Sequence, residues 1–431
     1  MTPSRGDGGM PERVVVVGHG AITCLGRDMD ATWEGLIAGR SGLKRHESLD
    51  PERFLRDVGG MVEGFGPGTP DEEPSVAKLE AKSIHLAMAA ARMAWVDAGL
   101  DRVERGLDYD PHRVAVTIGS AFGGQDLLEA ETTRAVKRKS LSMSPYLVPG
   151  LIINQASGQV AQHLGLFGPS VSPANACAAG GHAIALGAMF LRSGEADLAV
   201  CGGAESAFTP PIVNGFATMK ALAARKPGDR SFEDPAQASR PFSIDRAGFV
   251  MAEGAAVLVL ATESSARRLG LIVQAELLGW GTNSDGHHMT TPHKERIAHL
   301  LRRTLATAGV APEEVDYYNA HGTSTPVNDK VETEVVKEVF GDHARRMPVS
   351  SIKGAMGHAM GAASAIEAAV CVRALRSGVI PPTLHYREDP ELDLDYVPGQ
   401  ARTVPLRVVL SAAFGFGGTN NALIFKRGDH D

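Results

Sequence analysis

Short runs of β-branched and aliphatic residues alternate with longer Ala- and Leu-rich stretches along this chain, and no other feature constrains the fold as strongly. VVVVGHGAIT (14–23), RVAVTIGSA (113–121), ADLAVCGGAES (196–206) and AAVLVLAT (255–262) read as strands. Strands this apolar, separated by helical patterns, belong to α/β proteins with both sheet faces covered. The rhythm restarts with VQAELLGWGTNSD (273–285), VDYYNAHGTST (315–325), MPVSSIKGAMGH (347–358) and VVLSAAFGFGGTNNALIFKR (408–427). Each set ends in Gly-rich loops, so a duplicated α/β core is expected, with a repeat of pattern rather than of residues. Its boundaries fall at 1–12 for a flexible N-terminus, 13–265 for the first half and 266–427 for the second. Two loop-rich stretches interrupt the rhythm, an insertion over roughly 121–170 and the run 225–250, and long insertions commonly carry specificity and dimer contacts.

With 431 residues, 43% hydrophobic and 22% charged, the chain can bury a large core. Its net charge of −7 is spread without long runs of one sign, which argues against nucleic acid as a partner. An acidic partner would need a local basic patch. The four cysteines, Cys24, Cys177, Cys201 and Cys371, form no CxxC pair and no disulfide framework, which fits a reducing cytosol. The opening MTPSRGDGGMPER leads into VVVVG rather than into an apolar signal core, with Met10 a second candidate start. No stretch approaches the roughly 18–20 uninterrupted apolar residues of a membrane span. A cytoplasmic protein without membrane contact is expected.

The run VSPANACAAGGHAI (171–184) sets one Cys among small residues at the start of a helical pattern. Cys177 there either fills a small hole in a core or is a nucleophile whose thiol pKa is lowered by a helix N-terminus. Two further Gly-rich strand ends carry His321, in NAHGTSTPVND, and His358, in KGAMGHAMGAAS, with Lys353 five residues before it. Strand ends of an α/β sheet are where such proteins build sites. Cys and two His are also possible zinc ligands, but no pair has ligand spacing and Lys353 would oppose a cation, so no metal is expected. His19, His182, His287, His288, His293 and His385 read as surface or core histidines.

NACAAGGHAI, NAHGTSTPVND, KGAMGHAMGAAS and FGFGGTNNALI, in this order, resemble the β-ketoacyl-acyl carrier protein synthases. The similarity is to the elongating, type II-like branch of fatty acid synthesis and to the polyketide ketosynthases akin to it. It runs from VVVVGHGAITCLG to the end. The resemblance implies a thiolase-like duplicated fold, five-layered αβαβα and normally dimeric. It implies that Cys177 accepts an acyl chain from acyl carrier protein, and that His321 and His358 assist decarboxylation of malonyl-carrier protein. Backbone N–H groups of Cys177 and of Phe416 would form the oxyanion hole. Lys353 would be the active-site lysine, catalytic with the Cys and the two His, supporting the His358 loop and pairing with Glu367; Thr323 and Thr325 would bind the pantetheine arm, and Asp329 would order its loop. Lys220 would dock the carrier protein, with Arg134, Lys137, Arg138 and Lys139 near a second basic position. No cofactor is implied beyond the phosphopantetheine that carries the substrates.

The chemistry is coherent without the family. A thiolate forms a thioester, and two imidazole N–H donors can stabilise the enolate left by loss of CO₂. Ala178 and Ala179 follow the Cys where a hydroxyl residue is often found, and Asn328 stands where Gly is frequent. Phe122, in GSAFGGQ, stands where relatives in the family that the motifs resemble usually carry a smaller aliphatic residue, a position the resemblance implies is the mouth of the acyl pocket near the dimer interface. Its ring either shortens that pocket, favouring short or unusually shaped primers, or rotates aside on binding. A thiolase would need a Cys in place of Phe416, and an initiating synthase would use Cys-His-Asn. A non-catalytic chain-length factor would lack Cys177, and a primer-forming decarboxylase would carry Gln there. A catalytic subunit paired with a chain-length factor remains open beside a homodimer, as do fatty acid, polyketide and polyene products.

Overall fold

The structure, a computed structural model, describes residues 12–69, 73–101, 109–224 and 234–428. The flexible N-terminus expected over 1–12 lies outside them except for Glu12, as does 225–233 of the second loop-rich stretch. Ten strands form one hydrogen-bonded series. In the first half these are β1 (Val14–Thr23), β2 (Val114–Gly119), β3 (Ser170–Val171), β4 (Leu198–Glu205) and β5 (Gly254–Thr262). In the second they are β6 (Ala275–Ser284), β7 (Tyr317–Asn319), β8 (Val349–Ser350), β9 (Val408–Gly415) and β10 (Thr419–Arg427).

The spatial order is β8-β7-β9-β10-β6-β1-β5-β4-β2-β3. Read outward from the middle, both halves repeat one arrangement. The first strand of each half lies at the seam and pairs antiparallel with the fifth, the fifth antiparallel with the fourth, and the fourth, second and third are parallel. The halves join where β1 meets β6, Val15 opposite Glu276 and Val16 opposite Ala275.

Among the described residues, the helices that form the layers over the strands include α1 (Lys82–Asp97), α2 (Gln155–Leu164), α3 (Ala179–Arg192), α4 (Lys294–Ala308), α5 (Pro326–Phe340) and α6 (Ala363–Ser377). Strand side chains point alternately to opposite faces, and here both faces are buried. Val14, Val16, Leu258 and Leu260 pack with α3 and α6, whereas Val15, Val17, Val257 and Val259 pack with α1 and α2. In the second half Val409, Leu423 and Phe425 face α3 and α6, while Leu410 and Ile424 face α4 and α5. The result is the five-layered αβαβα thiolase-like fold, with α3 and α6 between two sheets. Each fully buried Val or Leu contributes about 1.5–3 kcal/mol, so the apolar runs drive the layering.

A helix held between two sheets must be apolar nearly all round, and α6 is buried without a break from Ala363 to Val372. It approaches α3 closely because α3 carries glycine at the crossing. A Cβ on Gly180 would lie 2.8 Å from the Ala365 Cβ and 3.0 Å from its backbone nitrogen. The small-residue run after Cys177 is thus a packing requirement of the middle layer. The insertion read as loop-rich over 121–170 contains helices at Gln125–Arg138 and Leu147–Leu151 as well as α2, and ends in the sheet-edge strand β3.

Candidate active site

Cys177 lies in a 3₁₀ turn, Ala176–Ala178, that leads into α3, so the α-helix begins two residues after the sulfur. Ala176 is held at φ +47°, a left-handed conformation that costs a non-glycine residue energy and persists where its surroundings impose it. The imposition is visible: the Thr419 hydroxyl donates to the Asn175 carbonyl at 3.0 Å, tying the turn to the β9–β10 hairpin that carries Phe416. The backbone N–H groups of Phe416 and of Cys177 itself face the sulfur.

A thiol with a lowered pKa, expected from the helix N-terminus, is not what the structure shows. Burial, with a smaller push from the Glu205 charge, drives the Cys177 thiol up to about 11, outweighing the nearby Lys353 charge and the two N–H groups. The physical reason is that the intervening turn separates the sulfur from the helix terminus while the cavity wall removes it from water.

His321 follows β7 directly, and His358 follows the short helix Lys353–Met356 after β8. Their rings sit 5.5 Å apart at 87°, nearly perpendicular. Burial, and then the positive charge of Lys353, hold both imidazoles well below their ordinary pKa. Both are therefore neutral near pH 7, each with one N–H to offer. Neither buried Nδ1 has a hydrogen-bond partner among the described residues. The His358 backbone is fixed by bonds to Val250 and from Ala252, at 2.7 and 2.9 Å.

A cavity of 320 Å³ brings together Cys177, His321, His358, Thr323, Thr325 and Phe416, with Lys220 at its wall. Behind it, Lys353 and Glu367 pair through Nζ and Oε1, with side chains 2% and 1% exposed. Burial raises the Glu367 carboxyl and Lys353 pulls it down. The Thr323 and Thr325 hydroxyls are 2.9 Å apart, and Thr325 caps α5 by accepting from the Asn328 N–H at 3.3 Å, with Pro326 at the first helical position. Asp329 is buried and orders the loop, accepting from the N–H groups of Phe242 and Ser324 at 2.8 and 3.1 Å.

Phe122 is not part of this cavity wall. It is half-buried in the apolar cluster that also holds Cys177, edge-on to Phe216 with centroids 6.1 Å apart. Arg134 is paired with Glu131 and Glu80, whereas Lys137, Arg138 and Lys139 are exposed. Among the described residues no group of three or more His, Cys, Asp or Glu side chains is placed to hold a metal, and no helix is long and apolar enough to cross a membrane.

Glu332 was missed by the sequence reading. Its buried carboxylate accepts from the N–H groups of His321 and Gly322, both at 2.8 Å, and burial pushes it up to about 7. The signal was its place on α5, three residues after Asp329 and so on the same helix face.

The comparisons with known proteins agree with this geometry. Residues 11–266 match the family model for the β-ketoacyl synthase N-terminal domain, and residues 274–387 match that for its C-terminal domain. The chain is 38% identical over 418 residues to the 3-oxoacyl-[acyl-carrier-protein] synthase 2 of Coxiella burnetii, covering 96% of this chain and 98% of that one. It is 39% identical over 419 residues to the protein of the same name from Synechocystis sp., with the same coverage. Among solved structures it is similar to a β-ketoacyl synthase from Burkholderia phymatum, with TM-score 0.87, 31% identity and coverage of 97% of this chain and 100% of that one. A type II PKS acyl-carrier protein in complex with its ketosynthase matches at TM-score 0.87 and 30% identity, with the same coverage. The ishigamide ketosynthase/chain length factor matches at 0.87 and 33%, again with that coverage. Two strand-end imidazoles, a cysteine faced by two N–H groups and these full-length matches lead to one conclusion: the chain belongs to the β-ketoacyl synthase family.

Proposed function

We propose that this protein is an elongating β-ketoacyl-acyl carrier protein synthase, an acyltransferase that joins an acyl group held on Cys177 to malonyl-carrier protein. The observation that carries the reading is the meeting, in one cavity, of Cys177 and two neutral imidazoles. In the first step the Cys177 sulfur attacks the carrier thioester, and the carrier thiol leaves with the proton Cys177 gives up. In the second, malonyl-carrier protein loses CO₂, and the enolate oxygen is stabilised by N–H donors of His321 and His358. The enolate carbon attacks the Cys177 thioester, and the tetrahedral oxygen faces the N–H groups of Cys177 and Phe416. Collapse releases β-ketoacyl-carrier protein and returns the sulfur.

Neutral imidazoles suit this work, because each must donate a hydrogen bond without releasing a proton to the carbanion. Lys353 and Glu367 act behind them as positioning residues. Thr323 and Thr325 receive the pantetheine arm, and the reaction uses no cofactor beyond that arm. Lys220, exposed at the cavity wall with φ +61°, offers a positive charge to an acidic carrier protein. Phe122 fills space beside Cys177 and favours short or unusually shaped primers. The catalytic division is 13–265 for the half with the nucleophile and 266–427 for the half with both histidines. Exposed Val136, Leu141 and Val148 in the insertion, and an open strand edge at β3 where Val171 is exposed, support a dimer, homomeric or with a chain-length-factor-like subunit. A cytoplasmic location goes with this reading, since Cys177 must stay reduced to accept an acyl group. The test is intact-mass detection of acylation: the wild type gains the acyl mass from acyl-carrier protein and Cys177→Ala does not.

A further inference from the structure

β4 ends at Glu205, a fully buried carboxylate outside the cavity wall. One oxygen accepts from the Ser120 hydroxyl at 3.0 Å. The other accepts from the backbone N–H groups of Ala121 at 2.6 Å and of Gly361 at 3.2 Å, and the Phe122 N–H also faces the carboxylate. Ser120–Phe122 carries the ring that packs on the same apolar cluster as Cys177. Gly361 lies just beyond His358, and between them Met360 lines the cavity in a left-handed conformation, φ +46°. The two loops touch so closely that a Cβ on Gly361 would lie 2.5 Å from the Ala121 nitrogen and 2.7 Å from a Glu205 oxygen.

We propose that Glu205 is a positioning residue that locks the acyl-pocket loop at Phe122 to the loop carrying His358, so that the fit of the acyl group sets the placement of the second imidazole. The proposal rests on the assignment of Cys177 and His358 above. Four donors converge on this side chain; burial pushes its carboxyl up to about 7 while these donors favour the anion, which can accept from all of them, whereas an alanine leaves them buried and unmatched. A glutamine is an intermediate case. Its carbonyl oxygen can keep the bonds from Ala121 and Gly361, and its NH₂ can donate to a rotated Ser120 hydroxyl.

The test compares wild type, Glu205→Gln, Glu205→Ala and Gly361→Ala in two separate assays: acylation of Cys177 by a small acyl thioester, and condensation with malonyl-carrier protein across short and long primers. Loss of a charge-assisted contact predicts a fall of about tenfold in condensation for Glu205→Ala, and Gly361→Ala, whose Cβ would press on the Ala121 nitrogen and the Glu205 oxygen and part the two loops, should fall likewise. Acylation should stay within about threefold, the ratio of short- to long-primer kcat/KM should move toward one, and Glu205→Gln should recover most of both. Equal loss of acylation and condensation, or unchanged primer ratios in the folded variants, would overturn the coupling. If Glu205→Ala does not fold, Gly361→Ala and Glu205→Gln decide the matter by the same readouts. A wild type that never acylates Cys177 would instead overturn the synthase reading itself.

Discussion

Replacing Lys353 by Met should produce a destabilisation that depends steeply on pH. Lys353 and Glu367 lie between the two sheets with their side chains almost inaccessible, and Nζ contacts Oε1. Removing the lysine leaves a buried carboxylate without a countercharge. Keeping it ionised would cost about 3–5 kcal/mol. Taking up a proton is the alternative, and its cost is set by the distance between the solution pH and the ordinary carboxyl pKa. That cost is about 1 kcal/mol at pH 5 and about 3–4 kcal/mol at pH 7. Burial already holds the Glu367 carboxyl up at about 7 with Lys353 beside it, so wild type bears part of this cost; with the lysine gone burial acts unopposed and the folded pKa rises further above its unfolded value. The folded state therefore loses stability as pH rises from the unfolded value through the folded one, and the variant should lie near wild type at pH 5 and well below it at pH 8. Urea unfolding at both pH values measures this. The double variant Lys353→Met/Glu367→Leu should recover most of the lost stability, because an apolar pair replaces a buried ion pair at little cost. Its condensation rate should stay low, because a charge that helps burial hold His321 and His358 neutral has gone. A single variant equally destabilised at both pH values, or a double variant no more stable than the single one, would refute the electrostatic account of the pair.

Three further outcomes follow from the packing. Phe122→Ala removes the ring beside Phe216 and should move primer preference toward longer chains in transfer assays with short and long acyl-carrier proteins; an unchanged profile would remove Phe122 from the acyl pocket. Lys220→Glu should raise the apparent KM for carrier protein and leave the reaction of a small thioester intact, and an equal loss of both would contradict docking. Gly180→Val places atoms where Ala365 of α6 already lies, and should lower stability by about 1–3 kcal/mol in denaturant titrations.

Much of the fold was legible because both faces of the strands are buried. The uninterrupted apolar runs of β1 and β5 have no solvated face, and that fixed the α/β class and the expectation of helices on both sides. The repeat was legible as a rhythm only. That β1 and β6 would meet at the seam depends on two residue pairings, Val15–Glu276 and Val16–Ala275, which no local pattern announces. At the site, Cys177, His321 and His358 stood out because glycines mark the strand-end loops that carry them, whereas Phe416 came only from the resemblance to the family. Glu205 and Glu332 did not, since a Glu at a strand end or on a helix is ordinarily solvated, and their roles appear only once distant backbone N–H groups converge on them. The Cys177 thiol was misjudged for a related reason: sequence shows the helix start, but the burial that outweighs it comes from an apolar cluster gathered from distant stretches, among them Phe54, Val213, Phe249 and Met360.

The central claim is that Cys177 carries the acyl group and the two neutral histidines act on malonate. Intact-mass analysis after incubation with acyl-carrier protein, followed by malonyl-carrier protein, tests both steps in one sample. The wild type should gain the acyl mass and then lose it as β-ketoacyl-carrier protein forms, whereas a His321→Ala/His358→Ala variant should gain the mass and keep it. A wild type that never acquires the acyl group, or a double histidine variant that clears it as fast as wild type, would contradict the account.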